Sequence, residues 1–242
     1  MPRLPYMSEQ PEPAAQPSPL APSTGLGVLH LFCHPTRSVD RLALERALET
    51  ATAGGLQVVT VAILGHKADL GFMALGPDLW KLRSFQGAVQ AAGLRVTHSY
   101  VSLTEVSEYA DGVPDEMIQA RLYPSLPPPG MPAFCFYPMS KRRSTHQNWY
   151  TLDFEARKHL MYQHGTVGRK FRGRVLQVVT GSTGVDDWEW GVTLFATHPD
   201  DLKDCVYQMR FDEASALYAE FGPFYTGVVG ELDQVLDQVP RP

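Results

Sequence analysis

Gly27-Val28-Leu29-His30-Leu31-Phe32, followed by the helix-spaced apolar residues of 39–53 and a stop at Gly54-Gly55, is the stretch that decides the fold. The first part is a β-prone run and the second an amphipathic helix, so the chain opens as strand, then helix. Residues 56–64 and 70–75 read as two further strands, joined by a polar turn that carries His66, Lys67 and Asp69. Residues 77–92 form a second helix closed by Gly93, and 95–101 a last strand. The order is β-α-β-β-α-β, a ferredoxin-like unit.

The same order returns after a Pro-rich connector at 124–132, which has too few backbone donors to sit inside a sheet. Residues 133–137 read as a strand, 153–171 as a helix, and 175–180 and 188–195 as strands. A broken or continuous helix over 200–221 and a strand over 224–229 complete the set. A weaker helix at 114–122 bridges the halves, and the residues from Glu231 form a short terminal helix. The expected class is α+β: two ferredoxin-like units forming a dimeric α+β barrel within one subunit. The expected division is a disordered Pro-, Ala- and Ser-rich extension over 1–24, an N-terminal unit over 25–123, the connector at 124–132 and a C-terminal unit over 133–242.

A chain of 242 residues with 44% hydrophobic residues has ample material for a core. Its formal charge of −5 leaves no basic excess to displace counterions from phosphates, so nucleic acid is not an expected partner. The local cluster Lys141, Arg142, Arg143 suits a small anionic ligand instead. Cys33, Cys135 and Cys205 are far apart and lack the paired spacing of a zinc or disulfide framework, which fits a cytoplasmic location. No basic segment precedes a long apolar run, and no stretch has the roughly 18 apolar residues of a spanning helix. Neither a signal peptide nor a membrane span is expected.

Several residues have side chains suited to chemistry. His164 precedes Gly165 near a helix end, where a neutral imidazole can present one nitrogen to a metal; the bland alternative is a partner for the helix dipole. One His does not make a closed zinc site, but one proximal His is enough for haem iron. Tyr137 ends an apolar strand before Pro138, and Lys141 follows shortly after. Strand tyrosines are commonly structural, whereas the cations are the groups that carboxylates need. Arg121 is a further cation, and exposure is its default. Gln177 interrupts an apolar strand and needs partners, in the backbone or in a ligand held within the barrel. Trp149 suits packing.

Together with Thr180-Gly181-Ser182, the run from Glu189 to Phe195 and the run from Met209 to Glu213, these residues resemble the coproheme decarboxylases of the chlorite dismutase superfamily, in their non-actinobacterial form. The resemblance runs from about Leu29 to Gly230. It implies two ferredoxin-like domains per subunit, the second binding haem, and a homopentamer. It also implies a peroxide-dependent oxidation in which two propionates of iron-coproporphyrin III (coproheme) become vinyl groups, giving haem b through a three-propionate intermediate. By the same resemblance His164 is the iron ligand, Tyr137 the residue whose radical attacks the propionate, and Lys141 its cationic partner. Arg121, Gln177 and Ser215 fall at positions of propionate contact or the distal pocket, and Trp149 matches a motif element. Hydrogen peroxide is the implied co-substrate, and a coproporphyrin ferrochelatase a transient partner. Gln177 stands where chlorite dismutases carry a distal Arg, which disfavours chlorite chemistry. A haem peroxidase or chlorite dismutase on the same scaffold, a non-enzymatic haem-binding protein and a barrel without porphyrin are the competing readings.

Overall fold

The computed structural model describes residues 18–239. The first unit contains β1 (Gly27–Pro35), α1 (Arg41–Ala53), β2 (Gln57–Ile63), β3 (Leu70–Gly76), α2 (Leu79–Ala91) and β4 (Leu94–Thr104). A bridging helix, α3 (Asp115–Leu122), leads to β5 (Ala133–Lys141), α4 (Phe154–Arg169), β6 (Val175–Gly181) and β7 (Trp190–Ala196). Then come α5 (Pro199–Met209), α6 (Glu213–Tyr218), β8 (Ala219–Phe221), β9 (Tyr225–Val229) and α7 (Leu232–Gln238). The helices start where the sequence offers a cap: Asp40 accepts from Ala43 N at 3.0 Å and Asp153 from Ala156 N at 2.8 Å. Leu44, Ala47 and Ala51 recur at helical spacing, and they are the buried residues of α1.

Each unit has the strand order of the ferredoxin-like fold, β4-β1-β3-β2 in the first and β6-β7-β5-β9 in the second. The pairs β2–β9 and β4–β6 join them, and β7 pairs with both β6 and β5, so the sheet closes into a barrel with β8 outside the ring. The seams are short: Val61–Ile63 against Gly227–Val229, and Leu103 and Thr104 against Gly181 and Thr180. A Cβ on Gly227 would collide with the Ala62 carbonyl, so glycine is what lets β2 and β9 meet there.

Closure gives the sheet an inner face packed inside the barrel and an outer face that the helices cover in part, leaving Val179 and Val228 exposed. Inside the barrel lie Phe32, Tyr100, Phe134, Phe136 and Phe195, together with fully buried His30. Outside the first sheet, α1, α2 and α7 cover Leu31, Phe72 and Leu94 with Leu44, Phe85 and Val235. Outside the second sheet, Cys135, Tyr137, Val192 and Leu194 pack with Leu202 and Cys205 of α5 and with Phe171. Helix α4 contributes only Leu160 to the fully buried set. It leans on α6 and α5 instead of sealing onto the strands below it.

The ends of two elements differ from the expected ones. Strand β5 does not stop at Tyr137 but continues to Lys141. Proline is tolerated because its missing donor falls between two partners: β9 pairs as far as Phe136, β8 begins at Met139, and the Pro138 carbonyl takes Gly222 N at 2.8 Å. The 200–221 segment takes the broken form of the expected helix, interrupted at Arg210–Asp212, but its last three residues are a short strand instead of helix. Of the extension expected to be disordered, residues 1–17 lie outside the described residues. Leu20 is tied to the start of α2 through Asp78 Oδ1 at 3.2 Å and Leu79 N at 2.9 Å.

Candidate functional site

The two-residue period of β5 carries Tyr137, Met139 and Lys141 to one face, away from the barrel and toward α4, α5 and α6. Tyr137 is buried, its ring stacked on Phe224 at 4.5 Å between centroids and tilted against Phe221 at 5.7 Å. Burial, with Cys135 and Cys205 adding to it, pushes its phenol well above the usual tyrosine range, while the nearby Arg210 pulls it back. That guanidinium lies 3.9 Å from the Phe221 ring centroid.

Lys141 is also buried. Its Nζ donates to the Ala214 carbonyl at 3.2 Å and sits 4.1 Å from the Trp149 ring centroid. Trp149 therefore does more than fill space, because its ring face helps hold a desolvated cation. Burial pulls the Lys141 ammonium down to about 8, with Asp212 and Glu189 opposing that shift. Glu189 also fixes the backbone, Oε2 accepting from Lys141 N at 2.7 Å.

His164 lies on α4, and its Nδ1 is 3.0 Å from Asp212 Oδ2 and 3.3 Å from Ser215 Oγ. The imidazole is part exposed, whereas the Asp212 side chain is only 2% exposed. Burial pushes the Asp212 carboxyl up, but the hydrogen bond and charge of His164 and the Ser215 contacts outweigh it and the net shift is downward. A carboxylate on Nδ1 selects the tautomer with its proton there, and Nε2 is left with a lone pair for a metal. One turn further along α4, a Cβ on Gly168 would meet Gln177 Nε2 at 3.8 Å, so the helix face that bears His164 looks onto β6.

Gln177 is on the outer face of β6, because Leu176 and Val178 are the residues that turn into the barrel. The expectation of a ligand within the barrel at this residue gives way to a place between sheet and helices. Ser215, expected at a propionate or distal position, keeps company with His164: its hydroxyl reaches Asp212 Oδ2 at 3.1 Å. Arg121 is exposed at the end of α3, and none of the hydrogen bonds or ion pairs among the described residues joins it to Tyr137, Lys141 or His164.

Sequence reasoning missed Asp212, Glu189 and Arg210 as parts of this site. Asp212 carries a local signal, as the N-cap of α6 accepting from Ser215 N at 3.0 Å, but nothing in the sequence says that its second oxygen meets a helix 48 residues earlier. Among the described residues no three His, Cys, Asp or Glu side chains converge on a metal position. The donors suit a metal that brings its own equatorial ligands and needs one imidazole. The Phe221 and Phe224 rings beside Tyr137, and the buried Lys141 over Trp149, complete this outer face of β5.

The chain matches the chlorite dismutase family over residues 39–230. It is 48% identical over 177 residues to the coproheme decarboxylase of Staphylococcus carnosus, an overlap of 69% of this chain and 70% of that one. The solved structure of a haem-binding protein from Thermus thermophilus superposes with a TM-score of 0.79 at 36% identity, covering 89% of this chain and 95% of that one. A chlorite dismutase from Candidatus Nitrospira defluvii shares the fold with a TM-score of 0.72 at 18% identity, over 90% of this chain and 97% of that one.

Proposed function

The chain belongs to the chlorite dismutase family, and on that premise we propose that it is a coproheme decarboxylase, converting two propionates of coproheme to vinyl groups at the expense of hydrogen peroxide. Support comes from the Staphylococcus carnosus relative and from the donor set. The observation that carries the reading is the His164 imidazole with Nδ1 engaged by Asp212, on the helix face above Gln177.

In this reading His164 Nε2 takes the iron of the substrate, and Asp212 keeps the imidazole oriented and its Nδ1 protonated. Bound coproheme, with peroxide, supplies the oxidising power. Each propionate loses carbon dioxide, one proton and two electrons, and one peroxide takes up those electrons, that proton and one more from solvent to become two waters. Tyr137 is the relay. Its phenol, kept protonated by burial, gives up proton and electron together, and the neutral tyrosyl radical removes hydrogen from the propionate β-carbon. Packing by Phe221 and Phe224 holds the ring in one pose, which such a transfer requires. Lys141 and Arg210 are the cations on the Tyr137 side that hold the carboxylates, Arg121 is added on family resemblance alone, and Ser215 steadies the Asp212 carboxylate.

The reading extends to a homo-oligomer, pentameric by family resemblance, working in the cytoplasm and receiving coproheme from a ferrochelatase. Free thiols at Cys33, Cys135 and Cys205 support a reducing compartment. Among the described residues no helix is long and apolar enough to cross a membrane.

The test is incubation of the purified protein with coproheme and peroxide, with the porphyrins identified by mass. Passage through a three-propionate species to haem b is expected. Intact coproheme, or its bleaching without vinyl products, rejects the reading, and oxygen release from added chlorite would favour dismutase chemistry.

A further inference from the structure

Gln177 meets the site with its amide nitrogen already engaged. Nε2 lies 3.2 Å from Cys205 Sγ and 3.7 Å from Met209 Sδ, both on α5. A thioether accepts hydrogen bonds and donates none, so the end of the amide that faces Met209 is the NH2. Cys205 is fully buried, and burial above all raises its thiol, which leaves an uncharged sulfur as the second acceptor. Gln177 itself is only half-buried, so with nitrogen held under the helices the carbonyl oxygen is the end left for the open side.

Resting on the coproheme reading, we propose that Cys205 and Met209 are positioning residues that lock the Gln177 amide with Oε1 toward the ligand side of the iron, so that the site favours neutral, proton-bearing ligands such as hydrogen peroxide over anions such as chlorite. A fixed acceptor oxygen takes a hydrogen bond from a ligand O–H or N–H and repels a bare anion. Discrimination against anions is then more than the lack of an arginine. It is an oriented dipole, set by two sulfurs outside the first contact with substrate. Freed from them, the same amide could turn its NH2 to an anion and reverse the preference.

The proposal is tested by titrating the ferric coproheme complex with azide and with imidazole. In the double variant Cys205→Ala, Met209→Leu, azide should bind more tightly by on the order of tenfold, the yield of one hydrogen bond to a charged group, while imidazole, a neutral ligand with an N–H, should bind no more tightly than in the wild type. Cys205→Ser keeps an acceptor and should leave azide binding as in the wild type. An unchanged azide-to-imidazole ratio in the double variant, or the same tightening in Cys205→Ser, overturns the proposal.

A porphyrin-free measurement separates the proposal from the function it rests on. The side-chain amide proton signals of the apo protein that vanish in Gln177→Glu should shift and exchange faster with solvent in the double variant. If they do neither, the sulfur anchor is wrong even where decarboxylation proceeds. If they move in a protein that does not bind coproheme, the anchor stands and the decarboxylase reading fails.

Discussion

His164 Nδ1 lies 3.0 Å from Asp212 Oδ2, and the carboxylate that holds it is almost wholly buried at the first turn of α6. A surface ion pair would swing and be screened; a buried carboxylate, itself fixed by the Ser215 amide at 3.0 Å, keeps the imidazole in one tautomer. Asp212→Ala should therefore weaken coproheme binding by roughly 10–100-fold, the usual cost of losing a partner behind a metal ligand. Spectrophotometric titration of coproheme reads it, and unaltered affinity would show that the pair does not support ligation.

Tyr137 has no hydrogen bond to its hydroxyl among the described residues, and its ring is held by Phe221 and Phe224. Tyr137→Phe keeps those contacts, so stability should change by less than about 1 kcal/mol and coproheme binding should persist. Decarboxylation should be lost. Denaturant melts and mass analysis of the porphyrins on the same preparation separate the two effects.

Lys141, pulled down to about 8 by burial against the opposing fields of Asp212 and Glu189, loses its charge in an accessible range. If its ammonium holds a propionate, coproheme affinity should fall as pH rises through about 8, and this step should be absent in Lys141→Arg, which stays charged. In the apo protein the sign is opposite. The unfolded Lys binds a proton up to its ordinary value of 10.5, so this group's share of stability grows as pH rises from about 8 to 10.5.

His30, enclosed in the barrel with Nε2 on Thr193 Oγ1 at 3.0 Å, is pushed from 6.5 down to about 3, by burial first and by His98 next. The unfolded chain then binds a proton that the folded one refuses. Its contribution is fully present above pH 6.5 and is lost as pH falls from 6.5 toward 3, by at most about 1.4 kcal/mol per pH unit. His30→Gln keeps a donor without titrating, and urea melts across that window should show a shallower loss than the wild type.

Much of the fold was legible because apolar periodicity and glycine stops sit close together in the chain, as in 27–55. Barrel closure was legible as a class only, since the pairs β2–β9 and β4–β6 join residues far apart in sequence. Pro138 ended the expected strand by a sound local rule, and only the gap between β9 and β8 lets the strand pass. For Gln177 the two-residue alternation was visible, but Val175 and Val179 on its side of β6 are as apolar as Leu176 and Val178 on the other, so composition did not say which side looks into the barrel. His164, Tyr137 and Lys141 could be singled out by residue type and resemblance. Asp212 and Glu189 could not be paired with His164 and Lys141, because those contacts depend on how α4, α6 and β7 are stacked.

A crystal structure of the ferric coproheme complex tests the central claim most directly. The account predicts iron on His164 Nε2, Asp212 still on Nδ1, and the Tyr137 hydroxyl against the β-carbon of a propionate. Iron held by another side chain, or that phenol directed away from every propionate, would contradict it.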